Sequence, residues 1–251
     1  MGTSGDTFLV RAVNTATDSE NQIHDDKVAA EYGFRGGLVP GVTVYGYMAS
    51  ALLNFVGPRW LDRGAMDVRF FEPFYEGEQV LVSVSEEGEG RWQARAGSRA
   101  SAMAWIESSA PTAEDIPERA SPERLPASRD TIRRGFVLGS FEKHLDLSTP
   151  GVSAPLDAFI GDERVAHPAI VLALANEILM RNFVLGPWIH ASSEIRNASA
   201  ICDGEGVTVH GRIVDAFERK GHEFVVLDVA IWASGRLASR IRHTAIWQLA
   251  K

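Results

Sequence analysis

Two apolar stretches of equal length, LVPGVTVYGYMASALL (Leu38 to Leu53) and VAHPAIVLALANEILM (Val165 to Met180), coincide when the chain is shifted against itself by 127 residues. The register holds downstream. Val68-Arg69 falls on Ile195-Arg196, Glu76-Gly77-Glu78 on Asp203-Gly204-Glu205, and Val80 on Val207. A turn between strands therefore repeats along with the apolar stretch, and the order of elements is the same in both halves. Between them, SSAPTAEDIPERASPERLPASRD (Ser108 to Asp130) carries Pro111, Pro117, Pro122 and Pro126 among charged and small residues. Proline removes helix donors and these neighbours offer little to pack, so 108–130 reads as a linker between an N-terminal domain, 1–107, and a C-terminal domain, 131–251.

Each apolar stretch is long enough for a helix of about 15 residues, or about 22 Å. A helix that is apolar on nearly every face must be enclosed. Strand-like runs rich in Val, Ile, Phe and Trp follow each one: MDVRFFE, QVLVSVSE, RWQARAG and ASAMAWIE in the first half, then ASSEIRNAS, GVTVHGRIV, HEFVVLDVAIWA and RLASRIRHTAIWQL in the second. Glu218-Arg219-Lys220-Gly221 and Ser234-Gly235 have the composition of hairpin turns. With 251 residues and 45% hydrophobic content, the chain can fill two cores of ordinary size. One buried helix wrapped by an antiparallel meander, twice over, is an α+β chain whose second sheet continues the edge of the first. That geometry is a double hotdog.

Acidic residues outnumber basic ones by 33 to 25, a net charge of -8, and no basic run occurs, which argues against a nucleic-acid partner. Cys202 has no second cysteine to pair with and reads as a small buried hydrophobe in a reducing compartment. His144, His167, His190, His210, His222 and His243 show no metal-ligand spacing, so no metal site is expected. The start, MGTSGDTFLV, lacks a leader pattern, and no run reaches the roughly 18 apolar residues of a membrane span. The expectation is a cytoplasmic protein with no membrane partner. Neither G-x-S-x-G nor a phosphate loop ending in G-K-[ST] is present.

The most specific local sequence is SENQIHDDKVAAEYGFRGGLVPG, Ser19 to Gly41. Read alone, His24 is a surface histidine ahead of a helix start that favours Asp25 and Asp26, and the glycines are turn residues. The whole 23-residue run, however, resembles the MaoC-like, R-specific enoyl-CoA hydratase family of hotdog proteins. That signature reads approximately D-x-N-P-x-H-x-D, then Ala, then G-F-x-G-x-I-x-H-G. Asn21, His24, Asp26, Ala30, Gly33, Phe34, Gly36 and Gly41 stand at matching places. The resemblance implies a hydratase or dehydratase of 2-enoyl or 3-hydroxyacyl thioesters, with a CoA or carrier-protein thioester as substrate and no cofactor. In that family an aspartate and the histidine share the acid and base work. Backbone N–H groups at the start of the central helix, here those of Gly41 and Val42, would stabilise the enolate oxygen.

Three positions depart from the pattern. Ser19 stands where the catalytic aspartate belongs, flanked by Asp18 and Glu20; Gln22 replaces the proline; and Pro40 replaces a histidine whose counterpart in the second half is His167. Either Glu20 or Asp18 supplies the carboxylate beside His24, or hydration is lost and the pocket is used otherwise. A thioesterase and a non-catalytic acyl-binding pocket are the alternatives. Tyr45, one turn beyond Gly41, packs in the core by default and lines the pocket otherwise. Glu177 and Arg181 have the spacing of a helical ion pair. Arg35, Arg69 and Arg196 are candidates for the phosphates of a CoA arm. The pocket is expected at the seam between halves, with Glu20 and His24 from the first and apolar walls from the second. A homodimer is possible on this fold.

Overall fold

Both apolar stretches are helices, and each begins three residues later than the aligned segments. The computed structural model describes residues 5–120, 123–147, 158–160 and 163–250. The first half contains β1 (Gly5–Arg11), a 3-10 turn at Gln22–His24, α1 (Asp26–Glu31), α2 (Gly41–Val56), α3 (Trp60–Arg63), β2 (Gly64–Phe70), β3 (Gln79–Gly88), β4 (Arg91–Ala96) and β5 (Ala100–Ile106). There follow β6 (Leu125–Pro126), β7 (Phe141–His144), β8 (Ala158–Ile160), β9 (Glu163–Val165), α4 (Pro168–Asn182), β10 (Phe183–Val184), β11 (Ile189–Asn197), β12 (Gly206–Arg219), β13 (His222–Ala233) and β14 (Arg236–Gln248). About half of the second-half counterpart of the Ser19 to Gly41 motif, 146–168, lies outside the described residues.

Ten strands form one antiparallel sheet in the order β1-β3-β4-β5-β2-β11-β14-β13-β12-β7. Outward from the β2–β11 seam, both sides run through equivalent strands. The seam pairs Asp67 with Glu194, and these two are repeat equivalents at the 127-residue offset. A residue paired with its own equivalent marks a twofold axis, so the sheet confirms the register of the repeat. The chain is a double hotdog, with a curled sheet around two central helices.

The apolar surface of α2 is consumed on all sides, since every residue from Val42 to Leu52 is buried. Its contact with α4 is close because Gly46 has no side chain. A Cβ built there would lie 3.1 Å from the Cβ of Ala169. Gly46→Val is therefore expected to cost about 1–3 kcal/mol by overpacking. A urea midpoint equal to that of the unmodified chain would show that the helices separate freely.

All eight foreseen strand runs are strands. Lys220 with Gly221 and Ser234 with Gly235 all have positive φ, as two-residue hairpin turns of the primed type require. The outermost strands, β1 and β7, were not foreseen, since GDTFLVR and FEKH carry too few apolar positions to stand out. The Pro-rich segment differs from a slack linker. Ala113 and Ile116 are buried with Ala230, Trp232 and Leu237 on the outside of the second-half sheet. Asp115 accepts from Arg212 at 2.5 Å and from Arg240 at 3.1 Å, and both arginines also hold the buried Asp228. Proline blocks a helix there but leaves two apolar side chains and a carboxylate free to dock, so the segment is a strap. Cys202 is half-buried rather than enclosed. Among the described residues no helix is long and apolar enough to cross a membrane.

Candidate active site

The motif loop folds back on itself. Asn21 caps the 3-10 turn, Asp25 caps α1 by accepting from Lys27 and Val28 N–H, and Asp26 accepts from Gly37 N–H at 2.7 Å. Two of the motif's acidic groups are thus spent on backbone donors. Gly37 must be glycine, because a Cβ would sit 2.0 Å from the His24 carbonyl oxygen. The loop delivers His24, Leu38, Pro40 and Gly41 to the wall of a cavity of about 250 Å³. Phe34, Phe70, Phe74, Trp188 and Ile246 make its apolar lining.

The His24 ring is held in one tautomer. Its Nδ1 lies 2.6 Å from the Leu38 carbonyl oxygen, which can only accept, so Nδ1 carries the proton and Nε2 the lone pair. Burial pushes the His24 pKa below its ordinary value, and the Leu38 hydrogen bond opposes this only in part. Nε2 is met by Asn21 Nδ2 at 3.3 Å. That amide also donates to the Trp188 carbonyl at 2.9 Å, and its Oδ1 accepts from Trp188 N–H at 3.1 Å. Asn21 therefore pins the motif loop of one half to the approach of β11 in the other.

Helix α2 begins at this wall. Thr43 and Val44 N–H both return to the Pro40 carbonyl, and the N–H groups of Gly41 and Val42, at the positive end of the helix, have no acceptor among the described residues. The equivalent end of α4 is closed. Pro168 has no N–H, and Ala169 N–H donates to His167 Nδ1 at 3.1 Å. The proton of that ring is consequently on Nε2, 3.2 Å from Ser50 Oγ, and burial lowers its pKa to about 4. His167 is a structural cap outside the cavity.

The remaining expected residues divide. Asn21, His24, Pro40 and Gly41 line the cavity, whereas Val42 and Tyr45 are buried behind it. The Tyr45 hydroxyl has no partner among the described residues, and burial pushes its pKa up, so this residue packs. Ser19 Oγ accepts from Asn21 N–H at 3.1 Å and shapes the loop. Neither carboxylate is brought to His24: Asp18 is exposed, and the Glu20 side chain is 68% exposed and paired with Arg124 at 2.9 Å. Glu177 holds Arg181 at 2.9 Å and also Lys143. Arg196 is held by Asp67 and Glu107, Arg35 pairs with Glu78, and Arg69 is exposed. The second half contributes more than apolar walls, since Asn176, His190 and His222 also line the cavity, with Glu72 of the first half at its rim. No spacing in the sequence marks these four. The fold brings them to the cavity that His24 lines from four separate places in the chain: α4, β11, β13 and the residues just after β2.

Double hotdogs of known structure match along nearly the whole chain. A MaoC-domain protein from Chloroflexus aurantiacus J-10-fl, described as a dehydratase, has a TM-score of 0.62 at 9% identity, over 98% of this chain and 96% of its own. A Mycobacterium tuberculosis protein with a double hotdog fold has a TM-score of 0.62 at 14% identity, over 97% and 96%. A Lactobacillus plantarum protein described as an oleoyl thioesterase has a TM-score of 0.56 at 10% identity, over 99% and 98%. No protein-family model matches the chain, and no curated protein is significantly similar to it.

Proposed function

We propose that the chain hydrates 2-enoyl thioesters, or dehydrates 3-hydroxyacyl thioesters, on CoA or an acyl carrier, with His24 as the one acid/base group. The observation that carries this reading is the locked His24 tautomer, in which Nδ1 keeps its proton and donates it to the Leu38 carbonyl. Nε2, met by the long 3.3 Å contact from Asn21 Nδ2, is therefore the basic nitrogen of a ring that lines an apolar cavity beside the start of α2. In the hydration direction water takes the place of the Asn21 contact at Nε2 and gives up a proton to it as the water oxygen bonds to Cβ. The double-bond electrons move onto the thioester oxygen, where Gly41 N–H at the positive end of α2 receives the charge. The imidazolium then returns its proton to Cα, so water is added and His24 is restored. A cavity of about 250 Å³ suits a short acyl chain.

Loss of the enoyl-thioester absorbance of crotonyl-CoA, with 3-hydroxybutyryl-CoA as product, tests the reading. Release of free thiol instead would assign hydrolysis. A thermal shift without turnover would assign acyl binding alone. Glu20→Gln is expected to change kcat/KM by less than about threefold, since an exposed carboxylate paired with arginine contributes little. A loss of about a hundredfold would return Glu20 to the role of base.

A further inference from the structure

Beside the cavity, on the strand that the second half contributes, stands a polar chain that the hydration step leaves unused. β11 carries a bulge between His190 and Ser192. In a regular strand, residues three apart face opposite sides, but a bulge re-aims one of them. Here His190 pairs with Ala245 and Ser193 with His243, positions two apart on β14, so all three polar side chains share a face. His190 Nε2 lies 2.8 Å from Ser193 Oγ, which lies 3.0 Å from His243 Nδ1. All three residues are buried.

The outer nitrogens of this chain, His190 Nδ1 and His243 Nε2, have no hydrogen-bond partner among the described residues. Ser193 has one proton to give, so two neutral arrangements exist. In one, His243 Nδ1–H donates to Ser193, Ser193 donates to His190 Nε2, and His190 carries its proton on Nδ1. In the other the direction is reversed, and an N–H is stranded on His243 Nε2 in the core. Each arrangement leaves one ring N–H and one bare lone pair without a partner among the described residues. The first puts that N–H on His190, which lines the cavity, where an oxygen held in the cavity can accept it; the second strands it on His243, which does not line the cavity. The first arrangement is therefore favoured. It places an N–H beside the start of α2, where a Cβ built on Gly41 would lie 2.8 Å from His190 Nδ1.

We propose that His190 is a substrate-binding residue whose Nδ1–H donates to the thioester carbonyl oxygen, a second donor beside Gly41 N–H that selects thioesters over ligands lacking that oxygen. This rests on the thioester reading of the same cavity. Burial and the adjacent His243 ring hold the His190 pKa well below its ordinary value, with a backbone contact to Ser192 opposing, so the donor is a neutral ring.

Two measurements test it. Nitrogen-15 spectra of the imidazoles should show His190 protonated on Nδ1, and a proton on Nε2 with Nδ1 bare overturns the donor role whatever the activity. Affinities for butyryl-CoA and for its thioether S-butyl-CoA, which lacks the carbonyl, should differ by about tenfold in the wild type. His190→Leu should reduce that ratio several-fold through loss of one donor to the carbonyl, since any change in the cavity wall acts on both compounds and cancels in the ratio. A ratio that persists in His190→Leu refutes the contact. Should His190→Leu misfold, the tautomer of the wild type decides alone. Failure of both compounds to bind the wild type overturns the thioester reading, and the contact with it.

Discussion

Lowering the pH from 8 to 5 is expected to remove about 4 kcal/mol of folding stability through His167 and His243 alone. Burial holds these rings at about 4 and about 3, against an ordinary value of 6.5. In the unfolded chain both would take up a proton below pH 6.5, while in the folded protein they remain neutral. Their contribution is thus complete above pH 6.5 and is lost as pH falls towards the folded values. At pH 5 each ring costs about 2 kcal/mol, and His190 adds in the same direction. Domains of this size are stable by about 5–15 kcal/mol in total, so the loss brings the chain near unfolding. Glu205 acts in a separate window. Arg236 holds it at about 2, so its contribution persists until pH drops below about 4.5. Urea midpoints measured from pH 8 to 5 check this, and a level midpoint would mean that the buried rings are charged or wet in the folded state.

His24→Ala is expected to lower kcat/KM for enoyl-thioester hydration by about 10²–10⁴-fold, the usual contribution of a positioned acid/base group. The same change removes the contacts to the Leu38 carbonyl and Asn21 Nδ2, about 1 kcal/mol each at most, so the variant remains folded. In the wild type, the depressed His24 pKa keeps Nε2 unprotonated at neutral pH. The rate should stay level as pH falls through 6.5 and decline only at lower pH, within the range where the protein is folded. Activity of His24→Ala within about threefold of wild type would remove the ring from the chemistry.

The repeat, both central helices and the eight long strands were legible because helix burial and strand alternation are local patterns. The edge strands were not, since β1 and β7 carry few apolar positions and owe their pairing to β3 and β12. The strap was misjudged for a related reason. Ala113 and Ile116 look unremarkable until Trp232 and Leu237 provide a surface for them. The motif pointed to His24, Asn21 and Gly41, which line one cavity, and the Ser19 departure left open which carboxylate stands beside His24. Glu20 and Asp18 were drawn in by proximity along the chain, but the loop turns both outward. His190 was passed over because its meaning depends on one bulge and on Ser193 and His243, neither of which a spacing rule reports.

The twofold axis through Asp67 and Glu194 relates two helix ends that no longer match. In an assembly of two identical chains every substitution is made twice, so a histidine that plugs one helix end plugs both. Covalent duplication lifts that constraint. One copy can be turned into a strut, with His167 and Pro168 sealing α4, while the other keeps its open end at Gly41. A ligand titration should accordingly saturate at one equivalent per chain, and the sealed copy is where substitutions can tune rigidity without touching the chemistry.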